Sequence, residues 1–208
     1  MKESNGKRGL FITNRILFYG GLLLLAAALF LTAKNFREER TAAVSSEKIL
    51  QKLIETGKNL PENSLQEEKE EIAMNTVEID GSVYIGILEI PSLSLVLPVA
   101  GEYTEATLKK TPCRYQGSAE GNDLIIAAHN YKGHFGGLHL LEAGDDVSFT
   151  AANGTVFSYA VCGKEKLDET AVEEMEAGTW DLTLFTCTLD SKSRITVRCT
   201  AAKQTENN

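Results

Sequence analysis

The sequence predicts a mainly β domain, a closed barrel or sandwich of short strands with short connecting helices, preceded by one N-terminal membrane-spanning helix. Three observations carry this expectation. Ile16 to Ala33 is an 18-residue run without a charged residue. From Val83 onward the chain breaks into short β-branched and aromatic runs separated by Gly, Asn and Pro signals such as Asn153-Gly154, the texture of an all-β domain. Finally, three polar residues of catalytic type stand at run termini: His129, Cys187 and Arg194.

The apolar run comes first in the chain. At about 1.5 Å per residue it reaches roughly 27 Å, close to the thickness of a bilayer's hydrocarbon layer. Lys2, Lys7, Arg8 and Arg15 against Glu3 give the preceding segment a charge of +3, so the positive-inside rule keeps residues 1–15 in the cytoplasm and exports the rest. A cleaved signal peptide is the alternative. It is disfavoured because the run exceeds the usual apolar region and no small-x-small site directly follows. With a total charge of −8, the chain beyond residue 15 carries −11, which argues against nucleic acid and against docking on anionic lipid.

Residues 34–78 read as a charged stalk. Ile49, Leu50, Leu53 and Ile54 form a narrow apolar stripe on a helix ending near Gly57, and Pro61 and the acidic run Glu67-Glu68-Lys69-Glu70-Glu71 read as solvated linker. The expected role of the segment is a spacer. A catalytic domain is then expected over residues 79–203, with 204–208 as a tail. Its strands are placed at Val83 to Ile90, Leu93 to Val99, Leu124 to Ala128, Val147 to Ala151, Thr155 to Val161, Leu182 to Cys187 and Ile195 to Thr200. Helical connections are placed at Thr104 to Lys110, Gly136 to Leu141 and Thr170 to Ala177. Four cysteines, Cys113, Cys162, Cys187 and Cys199, are too few for a disulfide scaffold; Cys162 and Cys199, both near strand ends, are the pair that could bridge.

Leu182, Leu184 and Thr186 alternate with Thr183, Phe185 and Cys187, so this strand has two distinct faces and delivers a thiol to its end. A buried structural cysteine is the bland reading of Cys187. His129 and Asn130 follow the continuous apolar run Leu124 to Ala128, which reads as a strand buried on both faces. Arg194 opens the last strand, and Arg198, four residues on, shares its face, so periodicity alone does not separate the two. His134 and His139 lie five and ten residues after His129, but no short ligand pair of the kind zinc sites use accompanies them. Phe135 and Leu138 are expected in the core beneath an exposed His134.

In this order the residues resemble the sortases, membrane-anchored cysteine transpeptidases of Gram-positive bacteria. Thr183, Leu184, Thr186 and Cys187 match that family's Thr-Leu-x-Thr-Cys motif, His129 its histidine at a strand end, and Arg194 its arginine opening the last strand. Tyr84-Ile85-Gly86-Ile87-Leu88-Glu89-Ile90-Pro91 and the run ending in Pro98-Val99 resemble its first two strands. The resemblance implies a closed barrel of about eight strands. It further implies that Cys187 is the nucleophile, His129 the general acid and then base, and Arg194 the donor to an oxyanion or to substrate backbone, while Thr186 and Asn130 help bind substrate. An uncoupled thiol and imidazole would be thiolate and imidazolium together in only about 0.7% of molecules at pH 7, so such a site needs its surroundings or its substrate to raise that population.

The resemblance also implies partners: surface proteins bearing a C-terminal sorting signal cleaved between threonine and glycine, and a cell-wall precursor amine as acceptor, with the N-terminal helix in the membrane. No cofactor is expected, although the acidic segment Asp168, Glu169, Glu173, Glu174 and Glu176 could take calcium. Pilin-polymerising class C enzymes usually carry an Asp-Pro-aromatic lid and a second membrane helix; neither is seen here, so a cell-wall-anchoring class, B- or D-like, is expected. Anchoring a pilus base is an alternative, as is a non-catalytic surface module. A papain-like peptidase is disfavoured, since it needs Cys before His.

Overall fold

Strand formation follows the alternation of β-branched and aromatic residues, and the computed structural model describes residues 4–57 and 76–202. Its strands are β1 (Val77–Ile79), β2 (Ser82–Ile90), β3 (Leu95–Ala100), β4 (Cys113–Gln116), β5 (Leu124–Ala127), β6 (Asp146–Ala151), β7 (Val156–Asp168), β8 (Leu182–Cys187) and β9 (Ser193–Ala201). Hydrogen bonding runs in the order β2-β3-β4-β5-β8-β9-β7-β6, and β6 returns to β2. Eight strands thus close a barrel, which leaves no open sheet edge in the ring. The short β1 pairs with the start of β2 outside it.

The expected strands all form, and two more appear. β1 is three residues long, and β4 reads Cys-Arg-Tyr-Gln with no apolar alternation; its hold on β3 is a single parallel pair, Ala100 opposite Cys113. β7 runs on to Asp168, past the expected end at Val161, because it pairs with β9 down to Asp168 opposite Ser193. That extension is Lys- and Glu-rich with little burial, so its sequence carries no strand periodicity.

Inner positions of the strands, among them Leu88, Ile90, Val99, Leu124, Ile126, Leu182, Leu184 and Val197, fill the barrel with Phe135, Leu138 and Leu141. β5 is buried on both faces as expected: Ile125 and Ala127 join an outer cluster with Phe185 and Met175. Closure requires glycine at position 86. A Cβ there would lie 2.2 Å from Thr150 O and 2.7 Å from Phe149 Cζ, where β2 meets β6.

Helix α1 spans Ser4–Gly57, and the chain divides into two compact units at residues 40 and 41. In the first, Leu17, Phe18, Leu22 to Leu25, Leu29, Phe30 and Leu31 are exposed on a helix long and apolar enough to cross a membrane. In the second, Ala42, Ser46, Ile49 and Leu53 lie at i, i+4, i+7 and i+11, one face of the helix, and are buried. Ile49 and Leu53 pack with Ile79, Tyr84, Ala100 and Cys113, and Lys52 pairs with Asp80 at 2.6 Å. Residues 41–57 are therefore not a bare spacer but part of the barrel's unit. The expected stripe is also corrected: Leu50 is half-buried and Ile54 is 43% exposed, because the docking face centres on Ser46 rather than on Leu50. Pro61 and the run Glu67 to Glu71 lie outside the described residues.

Two short helices and two 3₁₀ segments complete the described fold: the turn Pro91–Leu93 between β2 and β3; α2 (Glu105–Leu108), capped by Thr104 Oγ1 accepting from Thr107 N–H; the 3₁₀ turn Phe135–Leu140; and α3 (Val172–Glu176). α2 and α3 fall within connections expected to be helical and Phe135–Leu140 overlaps the third, whereas Pro91–Leu93 takes up Leu93, the expected first residue of a strand.

Candidate active site

Parallel pairing brings the first two residues together. Ala127 lies opposite Phe185 on β5 and β8, and Ala128 N–H donates to Phe185 O at 3.2 Å. Two residues further, His129 and Cys187 leave adjacent strands at the same level. Thr186 Oγ1 donates to Ala128 O at 2.7 Å and pins the two strands at this point. Antiparallel pairing supplies the third, since Cys187 on β8 is the cross-strand partner of Arg194 on β9. The hairpin between them is fixed by Thr188 N–H donating to Ser193 O at 2.7 Å and Ser191 N–H to Thr188 O at 2.9 Å.

Strand parity assigns the faces. Leu182 and Leu184 point into the barrel, while Phe185 belongs to the outer cluster, so Cys187 shares the outer face and is exposed. The floor beneath is aromatic. Tyr103 packs edge-on to Tyr115 at 5.3 Å, Tyr115 packs on Phe185 at 5.4 Å, and the Arg194 guanidinium lies 5.7 Å above the Phe185 ring. That cation–π contact is worth about 0.5–2 kcal/mol and orients the guanidinium. Burial raises the Tyr103 phenol above its ordinary pKa, the charge of Cys187 adds to this, and Arg194 opposes it. Tyr103 thus stays a neutral hydroxyl facing the thiol's surroundings. Tyr103 and Tyr115 sit in a turn and in the unforeseen β4, so no periodic signal announced them.

The two arginines are separated by their partners. Arg198 is saturated: Nε donates to Glu165 Oε1 at 2.7 Å, Nη1 to Met175 O at 2.6 Å and Thr183 Oγ1 at 3.1 Å, and Nη2 to Glu174 O at 2.6 Å. Arg194 Nη1 is buried with no hydrogen-bond partner among the described residues. Leaving such a donor unpaired costs free energy, which sets Arg194 apart from the well-bonded Arg198.

The other sequence candidates fall elsewhere. Thr186 and Asn130 line a cavity of about 900 Å³ at the barrel mouth, with Leu93, Leu95, Phe135, Leu140 and Ile195. That cavity lies on the inner side of β8, because Thr186 and Ile195 have inward parity, whereas Cys187 and Arg194 face out. His134 is corrected from exposed to fully buried, since α1 covers it. His139 is exposed with Nδ1 3.0 Å from Gly136 O. Among the described residues no group of three His, Cys, Asp or Glu side chains is placed to hold a metal ion. The four cysteines are free, which corrects the possible Cys162–Cys199 bridge: Cys199 points into the barrel and Cys162 is exposed, 3.1 Å from Thr200 Oγ1. Burial pushes the Cys113 and Cys199 thiols up to about 12.

The eight-stranded barrel carries a thiol, an imidazole and a guanidinium at the ends of neighbouring strands, residue types suited to acyl transfer by a cysteine. Residues 88–202 match the family described as Sortase domain. The chain belongs to the sortase family and is a cysteine transpeptidase. Solved structures agree on the fold. Sortase A from Corynebacterium diphtheriae is similar at TM-score 0.54 and 21% identity over 61% of this chain and 64% of that one. Sortase C1 from Streptococcus agalactiae gives 0.53 and 23%, covering 61% and 72%, and sortase C1 from Streptococcus suis gives 0.51 and 25%, covering 59% and 75%. This chain thus spans about two-thirds to three-quarters of the solved chains it resembles. No curated protein matches it by sequence.

Proposed function

We propose that this transpeptidase is anchored in the membrane by α1, with residues 1–15 cytoplasmic, and processes sorting signals of surface proteins through Cys187, His129 and Arg194. The observation that carries the reading is the cross-strand pairing of Cys187 with Arg194, whose buried Nη1 has no partner among the described residues. In the proposed reaction the Cys187 sulfur bonds to the carbonyl carbon of the signal's threonine, and Arg194 donates to the oxyanion or to the neighbouring backbone. The threonine–glycine C–N bond breaks as His129 gives its proton to the departing amine. An amine of a cell-wall precursor then attacks the thioester carbon, His129 takes its proton, and Cys187 leaves as thiolate. The sorting peptide would reach Cys187 and Arg194 from the barrel mouth, where Thr186 and Asn130 line the cavity of about 900 Å³. Thr186 then holds β5 against β8, and Asn130 lines the barrel mouth.

A cell-wall-anchoring class is favoured over a pilin-polymerising one because the sequence holds no Asp-Pro-aromatic motif. The five-residue α3 between β7 and β8 lacks the long helix expected of a B-type enzyme, which supports a D-like reading. Calcium at Asp168 and the α3 carboxylates remains a proposal, checked by whether activity responds to a chelator.

The nucleophile is tested on the full chain in detergent by intact-mass detection of methanethiosulfonate adducts. Two modifications are expected, at the exposed Cys162 and Cys187, with Cys113 and Cys199 untouched. In a Cys162→Ser background the single adduct should vanish with Cys187→Ala, and its formation should block thioester capture from a peptide library. A Cys187 that stays unmodified while Cys162 reacts would sink the enzyme reading.

A further inference from the structure

His134 and Ser46 lie outside the proposed chemistry, yet they meet in a buried hydrogen bond between the helix and the turn after β5. Ser46 Oγ is 2.7 Å from Lys110 O and 3.2 Å from His134 Nε2. A carbonyl can only accept, so the one Ser46 hydroxyl proton goes to Lys110 O. Ser46 must then accept from His134 Nε2–H, which fixes the tautomer of His134 and leaves its Nδ1 as a bare acceptor. That Nδ1 is buried without a partner among the described residues.

What the ring does is visible in the turn that carries His129. His134 N–H and Gly136 N–H both donate to Tyr131 O, at 3.0 and 2.9 Å, and Phe135 N–H donates to His129 O at 3.2 Å. Within this closed turn the Tyr131 ring stands between two imidazoles, 4.9 Å from His129 and 5.6 Å from His134. α1 presses on the same turn: a Cβ on Gly133 would lie 3.3 Å from Ala43 Cβ. Burial, with a smaller contribution from the charge of His129, lowers His134 to about 4, so it stays neutral beside its neighbour near pH 7.

We propose that Ser46 of the N-terminal helix and His134 form a clamp that sets the orientation of His129 through Tyr131, making both positioning residues for the active site. The proposal rests on His129 being the proton-transfer partner of Cys187. It assigns the helix a part in catalysis besides its part in anchoring.

The test uses the full chain in detergent with a Cys162→Ser background. Nitrogen-15 spectra of labelled histidine should place the His134 proton on Nε2; a proton on Nδ1 overturns the clamp. Alkylation of Cys187 by iodoacetamide, followed against pH, then reads its coupling to His129. Ser46→Ala and His134→Leu should slow alkylation at pH 7 on the order of tenfold and change the shape of the profile, since small displacements of a reacting group are costly. His134→Gln, whose amide N–H can still donate to Ser46, should restore it. Wild-type profiles in folded Ser46→Ala, or a glutamine variant no better than leucine, overturn the proposal. Should His134→Leu not fold, Ser46→Ala and the spectra still decide. A profile left unchanged by His129→Ala would instead overturn the function reading, while the nitrogen shifts continue to test the clamp.

Discussion

Replacing Arg198 by methionine should damage the fold, and replacing Arg194 by alanine should damage only the chemistry. Arg198 is 5% exposed and ties β9 to the end of α3 through the carbonyls of Glu174 and Met175. Its ion pair with Glu165 counts for little, because that carboxylate is 45% exposed and screened. The two carbonyl bonds and the Thr183 contact are charge-assisted, at about 1.5–3 kcal/mol each when made. Allowing for water reaching the freed carbonyls and for methionine filling part of the space, the loss is about 3–4 kcal/mol. In a unit this size that lowers Tm by roughly 8–15 °C. Arg194→Ala forfeits the contact with Phe185, about 1 kcal/mol at a half-exposed site, but removes the donor that faces Cys187. Thermal melts by circular dichroism on the full chain in detergent, paired with thioester capture by intact mass, separate the two. A Tm for Arg198→Met within about 3 °C of wild type, or Arg194→Ala melting as low as Arg198→Met, would refute this division of roles.

Two further outcomes follow from the packing. Gly86→Ala should destabilise by about 1–3 kcal/mol or more, because its methyl meets Thr150 O at 2.2 Å, whereas Gly163→Ala, with open space around its Cβ, should be within about 0.5 kcal/mol; denaturant melts compare them. Stability should fall on acidification through His134: the unfolded histidine takes its proton near pH 6.5, and the buried one only near 4. The unfolded state therefore binds more protons in that window. Up to about 3 kcal/mol is lost as pH drops from 6.5 to 4, with no such dependence above 6.5. His134→Gln should flatten that part of the curve, and an unchanged acid limb would contradict the buried neutral ring.

Local chemistry made much of this legible before any coordinates. β2, β8 and β9 are readable because one face of each is committed to the core and alternation writes itself into the sequence, and β5 is readable as a continuous apolar run because both its faces are covered. β4 and the distal half of β7 carry no such signal; they are strands because their neighbours need partners, a tertiary cause. Cys187, His129 and Arg194 were visible as chemical types at run ends; periodicity did not separate Arg194 from Arg198, which share one face of a strand, and only the family resemblance favoured Arg194.

The sequence by itself determined seven of the nine strands, the apolar span and the candidate reacting groups, because these depend on periodicity, length and side-chain chemistry. Tertiary structure decided which groups are free to react. Arg198 is consumed by α3, Cys113 and Cys199 are sealed in the interior, and Cys162 is as open as Cys187. It also decided that residues 41–57 are not a tether alone. Their docking surface is built from Ala42, Ser46, Ile49 and Leu53, of which Ile49 and Leu53 meet Ile79, Tyr84, Ala100 and Cys113 and Ser46 meets the turn that follows His129, partners that only the folded chain brings together.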